Sequence, residues 1–236
     1  MHRPSALLAL TSAALAAAQG YSTECSDITL NGDWLVATCP TGNGDEIASS
    51  VYLPSKIGNS NGNLEWSTGG AYHQSCEDCA LSDTANLSCS CRIASLPRYQ
   101  ETSINLETYI ANYEGHLLSN QTGPITTIPE DSTVPVPSDF DVLVKLGGLN
   151  NTCTSLGATL GYQLLTDCYY LNLGGDITWP TATSENNNGW EISAFEDREC
   201  AGEPEVVFTQ ENQGECFNPD PAVRAFSWKP LWNADY

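Results

Sequence analysis

Positive charge is scarce in this chain of 236 residues: Lys and Arg together number 8 against 29 Asp and Glu, a formal net charge of -21 at pH 7. Nucleic acids and anionic membranes both require a basic footprint on their partner, so neither is expected here. Histidine is almost as rare, with 3 in all, of which His2 lies in the leader and only His73 and His116 follow it. Nucleophilic catalysis of the Ser-His-Asp kind needs a base that titrates near neutrality, and neither histidine sits in a motif of that type. His116 occupies the place that Asn63 holds in an earlier copy of the same pattern, which suggests a plain surface role. The sequence has no Gly-rich phosphate cradle. Zinc is argued against by ligands: CEDC at Cys76–Cys79 has suitable spacing, but Cys89 and Cys91 follow as C-x-C. Neither a metal nor another cofactor is expected. Glu191, Glu196, Asp197 and Glu199 cluster, yet no spacing singles out an acid and a nucleophile, so they read as a solvated face and the chain as no enzyme.

Long apolar runs are absent beyond the first 18 residues. MHRPSALLALTSAALAAAQG combines a basic start at Arg3, a short apolar stretch and small residues at Ala16–Ala18. It reads as a secretory signal peptide, too short for a membrane span, with the mature chain starting near Gln19. The expected location is therefore extracellular, with no insertion into a membrane. Asn86, Asn120 and Asn150 head N-x-S/T sequons and are candidate N-glycan positions.

What is abundant is cysteine and repetition. Ten cysteines in an oxidising compartment indicate a disulfide framework. Ser50–Trp66, SVYLPSKIGNSNGNLEW, returns as SINLETYIANYEGHLLS at Ser103–Ser119, matching at Ser50/Ser103, Val51/Ile104, Leu53/Leu106, Ile57/Ile110, Asn59/Asn112, Gly62/Gly115 and Leu64/Leu117. Val51 and Leu53 follow the strand period of two, Pro54 stops that strand, and the Asn-rich run into Gly62 supplies a turn. Asn59 and Asn112 fall at the same place in that turn. The cysteines keep step: Cys25 and Cys39 precede the first copy, Cys76 and Cys91 the second. One bridge per repeat, Cys25 to Cys39 and Cys76 to Cys91, is the economical reading, with Cys79 and Cys89 nested inside the latter; sequence alone leaves crossed pairing open.

The texture divides the chain into a leader (1–18), a hairpin-rich domain (19–120), a Thr/Pro-rich extended linker (121–138) and a second small β domain (139–236). In the last, DVLVKLGG, WEISAF, EVVFT and AFSW read as strands. Sequential bridges Cys153 to Cys168 and Cys200 to Cys216 are the first guess for its staples. The expected class is all-β, a pseudo-symmetric duplicated domain followed by a second disulfide-stapled β domain.

With catalysis, metals and polyanions set aside, a neutral polar ligand is left. Vicinal sugar hydroxyls suit Asn, Gln, Asp, Glu and Arg side chains, which engage two at once, and weak single sites gain from duplication. The Cys25/Cys39 and Cys76/Cys91 pairs, the SxxL…IxNxxGxL element at Ser103–Leu117 and its earlier copy ending in LEW together resemble the cyanovirin-N homology family. The resemblance covers residues 19–120; no family is recognised for 139–236. It implies a metal-independent lectin with two pockets for high-mannose oligosaccharides or glycoproteins carrying terminal α1,2-linked mannose, as a monomer or a domain-swapped dimer. Carried over by position, one pocket takes Thr23, Glu24, Thr41, Gly42, Asn43, Asn112 and Glu114. The other takes Asn59, Asn61, Gly70, Gln74, Ser75, Arg92, Ile93 and Ser95. Pro40 and Gly42 depart from the family's polar pattern, which weights the second pocket above the first, although Ile93 departs in the second. The competing expectation is an extracellular structural or effector module, with decayed sugar pockets, that binds a protein or cell-wall polymer.

Overall fold

The computed structural model describes residues 20–67, 70–119, 128, 130, 132–147, 153, 156–162, 165–171 and 178–235. The leader and the sequons at Asn120 and Asn150 lie outside them, as does half of the segment 121–138.

Short apolar alternations separated by Asn and Gly turns form hairpins, and the front of the chain builds the same unit twice. A single helical turn, α1 (Tyr21–Glu24), precedes β1 (Ser26–Asn31), β2 (Trp34–Pro40) and β3 (Glu46–Tyr52), a 3-10 turn at Leu53–Ser55, and the hairpin β4 (Ile57–Ser60) and β5 (Asn63–Trp66). A 3-10 turn at Tyr72–Gln74 then opens the second unit: β6 (Cys76–Ser82), β7 (Asn86–Arg92), β8 (Tyr99–Asn105), a 3-10 turn at Leu106–Thr108, and the hairpin β9 (Ile110–Tyr113) and β10 (His116–Ser119). Even the irregularities match. The first strand of each unit bulges where an aspartate adopts left-handed backbone, Asp27 at φ 52° and Asp78 at φ 53°.

Each hairpin packs on the sheet of the other unit. The Leu117 amide donates to Ser49 Oγ at 2.8 Å, and the Leu64 amide donates to Thr102 Oγ1 at 3.1 Å. The exchange gives the two units one core, in which Leu35, Val51, Leu53 and Ile57 meet Leu87, Ile104, Leu106, Ile110 and Leu117. Neither unit could bury its apolar face alone.

Asn59 and Asn112 lie within β4 and β9 rather than in the turn itself, which is made by Asn61-Gly62 and Glu114-Gly115. The side chain reaches forward instead: Asn59 Oδ1 accepts from the Gly62 amide at 2.7 Å, and Asn112 Oδ1 from Gly115 at 2.8 Å. His116 is likewise not a surface residue. At 3% exposure it is buried, because β10 lies on the other unit's sheet with both its faces covered.

The rear of the chain forms a three-stranded sheet, in which β11 (Val142–Gly147) lies between β12 (Leu156–Tyr162) and β14 (Thr181–Glu185), and a four-stranded sheet. The latter contains β13 (Thr166–Tyr170), β15 (Trp190–Phe195), β16 (Val206–Phe208) and β17 (Ala225–Pro230), in the order β13-β17-β15-β16. The last strand, β18 (Ala234–Asp235), leaves these sheets and pairs in parallel with β3 of the front domain. A second core joins front and rear: Trp34 stacks on Phe140 with ring centroids 5.3 Å apart and meets Trp232 at 5.4 Å, while Trp190 Nε1 donates to the Phe140 carbonyl. Trp232 Nε1 donates to Ser50 Oγ at 3.0 Å.

Disulfides join Cys25 to Cys39, Cys76 to Cys91 and Cys79 to Cys89 in the front domain. In the rear, the sequential pairing is overturned: Cys153 bonds Cys216 and Cys168 bonds Cys200. The reason is strand order. Cys216 is delivered by the Phe217–Ala182 bridge to β14, whose neighbour β11 precedes Cys153 in the chain. Cys168 in β13 and Cys200 after β15 come together because both strands flank β17.

Candidate functional site

The exchanged hairpins place two equivalent polar surfaces on the front domain. In one, Asn59 Nδ2 donates to Ser75 Oγ at 3.0 Å and to the Arg92 carbonyl at 2.9 Å. In the other, Asn112 Nδ2 donates to Glu24 Oε2 at 3.1 Å and to the Pro40 carbonyl at 3.1 Å. Both donors of each amide and one acceptor site of each oxygen are thereby committed to the scaffold. These asparagines pin the hairpin to the segment beside it and so assemble the surface; the groups left exposed on it are their neighbours.

The sequence-derived set around Asn59 is brought together. The Ala94 amide donates to Asn61 Oδ1 at 3.1 Å, and the Arg92 amide to the Ser75 carbonyl at 2.8 Å. Asn61, Gln74, Arg92 and Ser95 are exposed. Gly70 serves backbone packing, since a Cβ there would stand 2.1 Å from the Ile57 carbonyl carbon. Ile93 is buried under the turn, where a Cβ on Gly62 would meet its Cγ1 at 2.8 Å. In the other unit the atoms under Gly115 belong chiefly to Ile47, with Thr41 beside it. The two units have therefore traded places: Ile47 and Thr41 in one correspond to Gln100 and Ile93 in the other. The polar group that Ile93 removes from the loop reappears on the strand as Gln100, whose Nε2 donates to Asn63 Oδ1 at 3.1 Å.

Two large apolar side chains complete this surface, and sequence reasoning missed both. Tyr99 is 48% exposed and Leu96 41%. Tyr99 faces Arg92 across the β7–β8 ladder, whereas the corresponding pair in the first unit is Pro40 with Glu46. An exposed aromatic beside a cation suits the mixed apolar and hydroxylated faces of a sugar. Its signal in the sequence was the exchange of Glu46 for Tyr99 between the repeats.

The set around Asn112 is also assembled. Thr41, Gly42, Asn43 and Glu114 line a cleft of about 430 Å³ together with Asp45, Ile47, His116 and Ile128. Thr41 Oγ1 is engaged with the Asp45 carbonyl at 3.1 Å, and Thr23 Oγ1 with the Gly20 carbonyl at 2.9 Å, so both hydroxyls are partly committed. Thr23 and Glu24 are exposed on α1.

His73 lies beside the Asn59 surface, on the 3-10 turn that carries Gln74. Burial holds its imidazole below the ordinary pKa, with the Asp33 carboxylate pulling the other way. Asp33 in turn accepts from the Tyr72 hydroxyl at 2.8 Å; burial first and that carboxylate second raise the phenol. Among the described residues no group of three or more His, Cys, Asp or Glu is placed to hold a metal ion. No helix of the described residues is long and apolar enough to cross a membrane.

Residues 21–118 match the CVNH domain family. Among solved structures, TbCVNH of T. borchii is 28% identical, covering 42% of this chain and 98% of its own, with a TM-score of 0.37. Microvirin, solved in complex with mannobiose, is 26% identical over 43% of this chain and 99% of its own, with a TM-score of 0.39. A MoCVNH3 variant in complex with (N-GlcNAc)4 is 21% identical over 44% and 98%, with a TM-score of 0.42. With its duplicated units, a disulfide in each and matched asparagine-pinned hairpins, the segment 21–118 of this chain is a CVNH domain.

Proposed function

We propose that the protein is a secreted, non-enzymatic lectin for mannose-type glycans, with terminal α1,2-linked mannose on high-mannose chains as its ligand. The observation that carries this reading is the surface around Asn59: exposed Gln74, Asn61, Arg92 and Ser95 beside exposed Tyr99. Amide and guanidinium groups engage adjacent hydroxyls, and the aromatic ring covers the sugar's C–H face. The acidic chain and its shortage of cations favour an uncharged ligand over a phosphorylated or sulfated one. The surface around Asn112 is the weaker of the two, because Pro40, Gly42 and Glu46 stand where its counterpart has Arg92, Ala94 and Tyr99.

Titration of the full chain with α1,2-mannobiose, followed by amide chemical shifts in calcium-free buffer, tests the proposal. Saturable shifts are expected in Asn61, Gln74 and 92–99. Replacing Gln74→Ala and Arg92→Ala together weakens binding by about tenfold or more, the loss of one or two charge-assisted hydrogen bonds. A folded protein whose spectrum does not respond to mannobiose would transfer the assignment to the competing reading, an extracellular module that binds a protein or cell-wall polymer.

A further inference from the structure

A cleft bordering the Asn59 surface is made jointly by the two halves of the chain, and the rear half's role in it follows from nothing in the CVNH fold. It encloses about 770 Å³, within the roughly 300–1,000 Å³ typical of small-molecule sites. Ser55, His73 and Gln74 line its front wall, and Thr166, Asp167 and Tyr169 of β13 its rear wall. We infer that this cleft is an extended saccharide subsite, so that the rear domain reads the units of a mannan chain beyond the disaccharide held at the Asn59 surface. The inference rests on the lectin reading above and goes past it by giving the rear domain a task and the protein a preference for longer chains.

Continuity comes from Gln74. It belongs to the exposed set around Asn59 and also lines the cleft, and the next residue, Ser75, accepts from Asn59 Nδ2. A chain running past Gln74 therefore enters the space between the halves. The lining chemistry selects a neutral, hydroxyl-rich occupant. It holds one carboxylate (Asp167), one amide (Gln74), the hydroxyls of Ser55 and Thr166, and the imidazole of His73, whose pKa burial lowers. Neither Lys nor Arg is among the residues that line it, which argues against anionic sugars and phosphates. Tyr169 offers the apolar face, its ring held edge-on to Trp228 with centroids 6.3 Å apart. The rear wall is rigid: β13 is paired to β17 and bridged from Cys168 to Cys200. Preorganisation of this kind lets a few weak contacts add to affinity without an ordering penalty.

The test uses the full chain, with calorimetric titrations of α1,2-mannobiose and a linear α-mannotetraose against the unmodified protein and Asp167→Ala, a change at an exposed residue. The tetraose is expected to bind about tenfold more tightly than the biose, equivalent to ~1.4 kcal/mol. Asp167→Ala reduces that gain to about twofold while leaving biose affinity unchanged, and only the tetraose shifts the amides of Thr166–Tyr169. Equal affinity for the two sugars, or a gain that survives Asp167→Ala with silent Thr166–Tyr169 amides, overturns the extended subsite and leaves the lectin assignment standing. Failure of both sugars to bind the unmodified protein removes the lectin assignment and the subsite with it.

Discussion

Asn59 and Asn112 show how one residue type at a repeated place builds a surface without lining it. Each side chain accepts from the amide of its turn glycine and donates twice to the neighbouring segment, to Ser75 and the Arg92 carbonyl or to Glu24 and the Pro40 carbonyl. Removing either leaves a part-buried amide and carbonyl without their partners, at a loss of about 1–3 kcal/mol. Asn59→Ala and Asn112→Ala should therefore lower stability by similar amounts in urea melts, since their bonds are equivalent. The spacing of Asn59 and Asn112 was legible in the sequence as a matched position. Its role was not, because a side chain that caps a turn and one that meets a ligand leave the same letter. Tyr99 went unread for the opposite reason: one aromatic in a strand usually packs inward, and only the pairing with Arg92 at an exposed edge turns it outward.

At the scale of the hairpin, the two glycines are matched in backbone and unequal in surroundings. Gly62 and Gly115 both have φ +95°, a conformation that L side chains resist. A Cβ on Gly62 would meet one atom inside 3.0 Å, Ile93 Cγ1 at 2.8 Å, whereas one on Gly115 would meet Ile47 Cγ1 at 2.5 Å and Cδ1 at 2.7 Å. Both alanine variants should be destabilised by about 1–3 kcal/mol, Gly115→Ala more than Gly62→Ala, as thermal melts can measure. The unequal environment follows from the Ile47/Gln100 and Thr41/Ile93 exchange. Repeat alignment exposes each substitution separately, but only the folded hairpin shows that the two isoleucines fill the same hole. Conserved volume with relocated polarity explains how the second surface kept its polar edge despite Ile93.

For the whole molecule, the decisive residue is Trp34. Its counterpart in the second unit is Asn86, and Tyr52, opposite Trp34 across the β2–β3 ladder, corresponds to Asn105, opposite Asn86 across β7–β8. One end of the pseudo-symmetric domain thus carries an aromatic pair that joins the core shared with Phe140, Trp190 and Trp232, while the other end carries a polar pair at a sequon. The asymmetry allows a single rear domain to dock in one orientation. Asp235 strengthens the join, accepting from the Ser119 amide at 2.6 Å and pairing with Lys56 at 3.5 Å. Because this core spans both halves, unfolding should be one cooperative transition by both tryptophan fluorescence and far-ultraviolet dichroism. Trp34→Ala is expected to lose about 3–5 kcal/mol and to separate the transition into two, the front domain keeping its own core and the disulfides of its two units. Coincident single transitions in that variant would refute the decisive role of Trp34 in joining the two halves.

The sequence by itself determined the all-β class, the duplicated unit and the places of the turns, and made the cysteine pairs within one hairpin the economical reading. These are local properties, carried by an alternation of period two and by repeat spacing, and they do not depend on what the strands meet. Only the tertiary structure decided which hairpin lies on which sheet, that Cys153 seeks Cys216 and Cys168 seeks Cys200, that Trp34 faces the rear domain, and that Gln74 looks across a cleft to Asp167. Each of those joins residues far apart in the chain through strand order. Strand order is selected by burying all the apolar faces at once, a global condition that no stretch of sequence states alone.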